Sequence, residues 1–257
     1  MRAWPALAGA VLVLLAAPLV AQDPGDRIAG VRDGTVRLAF NHRPDVCGDG
    51  ASVIRVGKDD VFQSESAGER GAACIPGPAR VRVTRSNGRT TDVKVYVGGS
   101  WPAPPSGTTD LGLTPAQAAA RALVALATRD EGAEEAVFAA TLADSVVIWP
   151  DLMVLARQGT APVNCRRAAI FWMGQAAAKA VTAGLVDIAE EADADREIRE
   201  AAVFAISQRP DDEAVPTLIR LARTSSHASV RKQAIFWLGQ SEDPRALGLI
   251  EEILSAR

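Results

Sequence analysis

Apolar residues recur with a period of two across residues 28–97 and with a period near 3.6 from residue 114 onward. The first pattern belongs to strands with one buried face, the second to helices with one buried stripe. Four alternating segments, at residues 35–40, 52–56, 80–84 and 91–97, set β-branched side chains against Arg or Lys. The last two are joined through Asn87-Gly88, a pair suited to the positive φ angles of a tight hairpin turn. Residues 98–110 then concentrate Gly, Pro and Ser around Trp101, which predicts an extended, semi-rigid spacer. Thr114-Pro115 reads as an N-cap followed by proline at the first helical position, opening a helix over residues 116–128. The predicted fold class is α+β in two domains. A small antiparallel β domain occupies residues 27–99, a Pro/Gly/Ser linker residues 100–112, and an α-α superhelix residues 113–257, with about four helical hairpins plus a leading helix.

The helical part repeats itself. Arg166-Arg167-Ala168-Ala169-Ile170-Phe171-Trp172-Met173-Gly174-Gln175 aligns with Arg199-Glu200-Ala201-Ala202-Val203-Phe204-Ala205-Ile206-Ser207-Gln208 at a shift of 33 residues. A further 32 residues bring Arg231-Lys232-Gln233-Ala234-Ile235-Phe236-Trp237-Leu238-Gly239-Gln240, and a degenerate copy begins at Ala133. Downstream of each copy, Leu152/Leu155, Leu185/Ile188, Leu218/Leu221 and Ile250/Ile253 place an i,i+3 apolar stripe on a second helix. One helical hairpin cannot bury its apolar face alone, whereas stacked hairpins share a continuous core. The same register puts Val154, Asp187, Arg220 and Glu252, and Arg157, Glu190, Arg223 and Ser255, on one exposed ridge of the second helices. From that ridge Arg157, Asp187, Glu190, Arg220, Arg223 and Glu252 are the candidate partner-binding residues. Trp172 and Trp237 stand in equivalent places, which Ala139 and Ala205 fill in the other copies, so packing between repeats is the expected role of both indoles.

The stretch Val230-Arg231-Lys232-Gln233-Ala234-Ile235-Phe236-Trp237-Leu238-Gly239, followed by Asp243-Pro244-Arg245-Ala246-Leu247 and Leu249-Ile250-Glu251-Glu252-Ile253-Leu254, resembles a full short unit of the bacterial HEAT and HEAT-like (lyase-type) repeats. The resemblance extends over about residues 131–257. It implies a HEAT-type α-solenoid acting as an interaction scaffold, with a groove along its second helices. No catalytic residue carries over.

The N-terminus bears on the compartment. Arg2 precedes an apolar stretch at residues 6–20, and polarity returns abruptly at Gln22. A secretory signal peptide at residues 1–21, cleaved after Ala21, is predicted, because about 15 apolar residues fall short of the roughly 20 needed to span a bilayer. An uncleaved anchor is the alternative. Export to a periplasmic or extracellular space permits disulfides, and Cys47 is expected to pair with Cys74. Closing that loop stabilises the fold by roughly 3–4 kcal/mol in the chain-entropy picture. Cys165 is expected as a buried free thiol, since no histidine lies within sixty residues to act as its base.

Charge divides unevenly. Residues 22–112 carry 12 basic and 11 acidic side chains, and residues 113–257 carry 15 and 20. An acidic solenoid offers no field for phosphate backbones, so no nucleic-acid partner is expected, and a basic or mixed-charge protein surface is the natural complement. Arg37, Arg55, Arg80, Arg82, Arg85, Arg89 and Lys94 fall mainly on the polar sides of the strands and read as a solvated face, with an anion site as the sharper alternative. Asp45, Asp49, Asp59 and Asp60 lack the spacing of a calcium loop and read as turn residues. His42 and His227 lack metal-site spacing. No catalytic, cofactor or metal-binding residue is nominated, and no stable membrane insertion is expected after signal cleavage. The expected function is that of an exported, non-enzymatic protein-interaction scaffold. The alternatives are glycan or small-ligand binding in the cell envelope through the β domain, and a HEAT-like lyase-type enzyme.

Overall fold

The computed structural model describes residues 23–57, 60–63 and 73–255. The predicted signal peptide at residues 1–21, and Asp59, lie outside the described residues. Helix α1 (Pro24–Gly30) leads into β1 (Gly34–Phe40), followed by β2 (Val46–Gly48), β3 (Val53–Val56), β4 (Asp60–Gln63), β5 (Ala79–Ser86), β6 (Arg89–Val97) and β7 (Thr108–Leu113). Four of these form a sheet in the order β6-β5-β1-β7, while β2, β3 and β4 pair separately. Val36, Leu38, Phe40, Val81, Val83, Val93 and Val95 bury the alternating apolar face. The β5–β6 turn places Asn87 at φ 53° and Gly88 at φ 76°, as the Asn-Gly pair requires.

The expected spacer is a spacer only in part. Residues 108–113 form β7, which pairs parallel with β1 from Thr35↔Thr108 onward, so the main sheet is mixed rather than wholly antiparallel. Arginines expected in solvent bring this about. Arg37, Arg80 and Arg85 are all buried. Arg37 donates to the Pro102 carbonyl at 2.7 Å and pairs with Asp110 at 2.8 Å. Arg80 donates to the carbonyls of Ser100 at 2.9 Å and Gly50 at 2.5 Å. Both guanidinium groups lie on the Trp101 ring, at 5.4 and 5.0 Å from its centroid, so the indole docks on the outer face of the sheet and the Pro-rich segment is strapped down. Thr114 does not cap the next helix. Its N–H goes to the Ala39 carbonyl at 2.7 Å, and α2 (Ala116–Ala127) starts after Pro115.

Cys47 and Cys74 form the expected disulfide, with Cα atoms 5.5 Å apart. Asp49 acts as a turn residue, its Oδ1 accepting from the N–H groups of Ala51, Ser52 and Val53 at 2.8–2.9 Å. Burial pushes this carboxyl up, but the three donors outweigh it and hold Asp49 below the usual aspartate range.

Beyond α2 and a 3-10 turn at Glu131–Ala133, eight helices alternate: α3 (Glu134–Thr141), α4 (Trp149–Arg157), α5 (Val163–Gly174), α6 (Ala180–Glu190), α7 (Arg196–Ser207), α8 (Asp211–Thr224), α9 (Ala228–Leu238) and α10 (Pro244–Ser255). The repeated motif lies on the first helix of each hairpin. Its opening arginine has a structural task, because the last carbonyls of any helix lack intrahelical partners. Arg166 donates to Ala156 at 3.0 Å, Arg199 to Ala194 and to Glu191 at 3.3 Å, and Arg231 to Ser225 at 2.7 Å. Each thus caps the second helix of the preceding unit. Leu152, Leu155, Leu185, Ile188, Leu218 and Leu221 are buried as the stripe requires, whereas in α10 Ala246 and Leu249 are buried and Ile250 and Ile253 are half-buried. At Gly174 a Cβ would stand 3.0 Å from the Ala205 carbonyl, so glycine lets α5 and α7 approach closely.

Sheet and solenoid share one continuous buried core from Ile28 to Leu249. Their junction is a buried ion pair. Arg85 Nη1 lies 3.1 Å from Asp130 Oδ2, with side chains 4% and 10% exposed. The same oxygen accepts from the N–H and Oγ1 of Thr90 at 2.9 and 2.7 Å, and Arg85 also donates to Val31 at 2.8 Å and to Gly88. Gly132 completes the fit: a Cβ there would stand 2.7 Å from the Thr90 carbonyl.

Candidate binding groove

The first helices pack on one another more extensively than the second helices do. Closer spacing makes the first-helix side the inner side of the stack. On that side a groove of about 960 Å³ runs between the helices and the sheet. Its wall is Val93, Lys94 and Val95 of β6 with Ile54 of β3, and its floor and rim come from α3, α5, α7 and α9.

The floor is aromatic because the repeat places a ring at the same helical position each time. Phe138, Phe171, Phe204 and Phe236 hold the sixth place of the motif, and Trp172 and Trp237 hold the seventh in two copies. Phe138 stacks on Trp172 at 4.7 Å, Phe171 meets Trp172 at 5.0 Å and Phe204 at 6.4 Å, and Phe204 meets Trp237 at 5.0 Å. Packing between repeats is therefore what the two indoles do, as their register indicated. They do it half-buried, with one side of the ladder lining the groove. Such rings present large apolar area at low conformational cost.

The rim is polar and acidic. Among the described residues Glu134, Glu135, Glu197 and Glu200 line the groove together with Lys94 and Arg167, and Asn164 and Gln233 supply amides. Asn164 donates to Glu134 Oε2 at 2.9 Å, Arg167 lies 3.9 Å from Glu197, and Arg196 donates to Glu200 at 2.6 Å. Glu135 keeps solvent contact, yet the protein around its carboxyl raises it above the ordinary glutamate range. That enclosure is the largest cause, the Glu134 charge adds to it, Lys94 opposes it and Asp92 adds a little more.

The sequence-predicted ridge lies on the opposite layer. Arg157 pairs with Asp187 at 3.3 Å across α4 and α6, and Arg223 with Glu252 at 2.5 Å across α8 and α10. Arg220 is exposed, while Glu190 is half-buried and its Oε1 is enclosed. Four of the six ridge residues meet in two neighbouring pairs, and no shared centre gathers the six. The groove implied along the second helices is found instead along the first, because the large rings of the motif project there and β6 supplies a facing wall. The repeating phenylalanine column was the signal in the sequence that pointed to this side.

Other chemistry-bearing groups are turned to structure. Cys165 is buried, its thiol donating to the Asp130 carbonyl at 3.5 Å, and burial, reinforced by Glu134, pushes its pKa up to about 12. The ring nitrogens of His42 contact the carbonyls of Arg43 and Gly77, and His227 Nε2 contacts that of Glu190. Among the described residues no three His, Cys, Asp or Glu side chains gather to hold a metal ion, and no helix is long and apolar enough to cross a membrane.

A two-layered helical array with a concave aromatic face defines an α-solenoid. Residues 182–257 match the family model for HEAT repeats, which supports a HEAT-like repeat there, and the helices before them continue the same two-layered hairpin pattern. The match does not extend to the β region, and among curated proteins none matches the sequence. Arrays of this class commonly use extended concave surfaces to bind other proteins.

Proposed function

We propose that the chain is an exported, non-enzymatic scaffold that holds a partner protein in the groove between the first helices and β6. The observation that carries this reading is the groove's composite construction, an aromatic floor drawn from successive repeats closed by a wall from the sheet. Buried rings with a polar rim are the usual anatomy of an interface centre. Export draws its support from the apolar stretch at residues 6–20 and from the Cys47–Cys74 disulfide. The non-enzymatic part draws on the inert environment of Cys165 and on the engagement of Glu134, Glu197 and Glu200 by neighbouring side chains. Ligand binding through the β region has less to stand on, since Arg37, Arg80 and Arg85 are committed to protein acceptors.

Affinity capture with the intact chain tests the reading. Trp172→Ala combined with Trp237→Ala strongly reduces partner capture, while Arg220→Glu with Arg223→Glu leaves it intact. The reverse outcome transfers the interface to the second-helix ridge. Circular dichroism on both variants separates lost binding from lost folding.

A further inference from the structure

Inside the stack each repeat is covered by the one that follows, and the repeat register shows what that cover does. At the fifth place of the motif Val137, Ile170 and Val203 are fully buried, whereas Ile235 is half-buried. At the sixth place Phe171 meets Phe204 at 6.4 Å and Phe204 meets Trp237 at 5.0 Å, each on the next first helix. Among the described residues Phe236 meets only its own neighbour Trp237, and it is 53% exposed. On the second helices Val215 is buried where α10 carries Leu247, and Ala156 and Ala189 are buried where α10 carries Leu254. These two leucines are 53% and 65% exposed. Terminal repeats of a solenoid ordinarily turn a polar face outward. The α9–α10 hairpin turns the interior pattern outward instead and enlarges it, with leucine in the place of alanine. A contiguous apolar patch of this kind marks an interaction surface.

Two charges on the same face select its occupant. Lys232 holds the place of Arg167, which reaches Glu197 on the next first helix, and Glu251 the place of Met153, whose side chain lies against Gly184 on the next second helix. Both therefore point to where a following repeat would stand, and neither is paired among the described residues. Lys232 lies six residues before the end of α9 and Glu251 seven past the start of α10, so at about 1.5 Å per residue they stand at nearly the same height on neighbouring antiparallel helices. We propose that a second copy of this chain covers the face, two α9–α10 hairpins packing tail to tail about a two-fold axis that runs along the helices. Such an axis keeps height and exchanges α9 with α10. Lys232 of each copy then faces Glu251 of the other, and the two reciprocal pairs flank an apolar centre of Phe236, Leu247 and Leu254. The face is complementary to itself, as an isologous contact requires. Two helices about 17 Å long side by side make a contact at the small end of specific interfaces, so the association depends on concentration.

Sedimentation equilibrium on the intact protein, over about 1–200 micromolar, tests the proposal. The mass rises with concentration toward twice that of the chain. Leu247→Gln with Leu254→Gln weakens self-association by about tenfold or more, through lost apolar cover. Lys232→Glu and Glu251→Lys each bring like charges together and weaken it when either variant is alone. Mixing the two variants restores it, because each mixed dimer again holds two opposite-charge pairs. That restoration also shows that both variants are folded. A mass that stays at one chain over the whole range overturns the proposal, and undiminished association of the leucine variant overturns the choice of face. Loss in the leucine variant without restoration on mixing, or charge variants that associate like the wild type, overturns the two-fold pairing.

Discussion

The two layers of the solenoid use the same repeat to opposite ends. On the outer layer, polar positions of α4, α6, α8 and α10 form exposed pairs such as Arg157–Asp187 and Arg223–Glu252. Pairs of this kind contribute little to stability, about 0–1 kcal/mol each, and chiefly keep the surface wetted. On the inner layer, the motif's rings stack from one repeat to the next while also lining a groove, so one set of side chains gives cohesion and, on the proposed reading, the binding surface. The lesson is that register identifies exposure on either face, whereas concavity depends on what stands opposite. Here β6 stands opposite the first helices, held by the Arg85–Asp130 junction.

The largest effect is expected where that opposition is anchored. Asp130→Ala leaves Arg85 charged and buried without its carboxylate, which costs about 3–5 kcal/mol and loosens the groove wall. Urea denaturation reads the loss, and a change below 1 kcal/mol contradicts the junction's role. Next comes the ladder. Trp172→Ala with Trp237→Ala weakens partner binding by about 2 kcal/mol or more, roughly thirtyfold, whereas Arg223→Glu on the outer layer changes it little. A third comparison lies within one motif position. Gly174→Val forces a side chain against Ala205 and costs about 1–3 kcal/mol, while Gly239→Ala, whose Cβ meets only its own helix at 3.4 Å and beyond, is close to neutral or stabilising. Equal thermal shifts for the two variants contradict the close approach of α5 and α7.

The smallest effect is a pH dependence. Glu135 holds its proton more tightly in the folded chain than in the unfolded one. Between the ordinary glutamate value and the raised one the native state therefore binds more protons, and stability falls as pH rises through that window. Glu135→Gln flattens this part of the stability curve. A curve unchanged by the substitution assigns the dependence to other groups.

How far the sequence reached depended on whether the deciding contact was local. The hairpin at Asn87-Gly88 was legible because backbone φ at the turn selects those residues, and the helical hairpins because the motif recurs at 33 and 32 residues. The Cys47–Cys74 pair followed from cysteine count and placement. Strand β7 was not legible, since Thr108-Thr109-Asp110-Leu111-Gly112-Leu113 lacks alternation and becomes a strand through pairing with β1 and the tie from Asp110 to Arg37, distant in sequence. Arg37 and Arg80 looked solvent-facing, and their parity was right, whereas Arg85 shares the parity of the buried Val81 and Val83. The Pro-rich segment that covers Arg37 and Arg80 was what local pattern had no means to show. The groove was half legible, its aromatic column present in the repeat but its wall created by long-range packing.

The central claim is that the partner sits on the first-helix face. Its most direct test places a photo-crosslinking amino acid at Arg167, on the groove rim, or at Val154, exposed on the outer layer, and irradiates living cells making each variant. Adducts at position 167 and none at 154 are the predicted result; adducts at 154 with none at 167 contradict it.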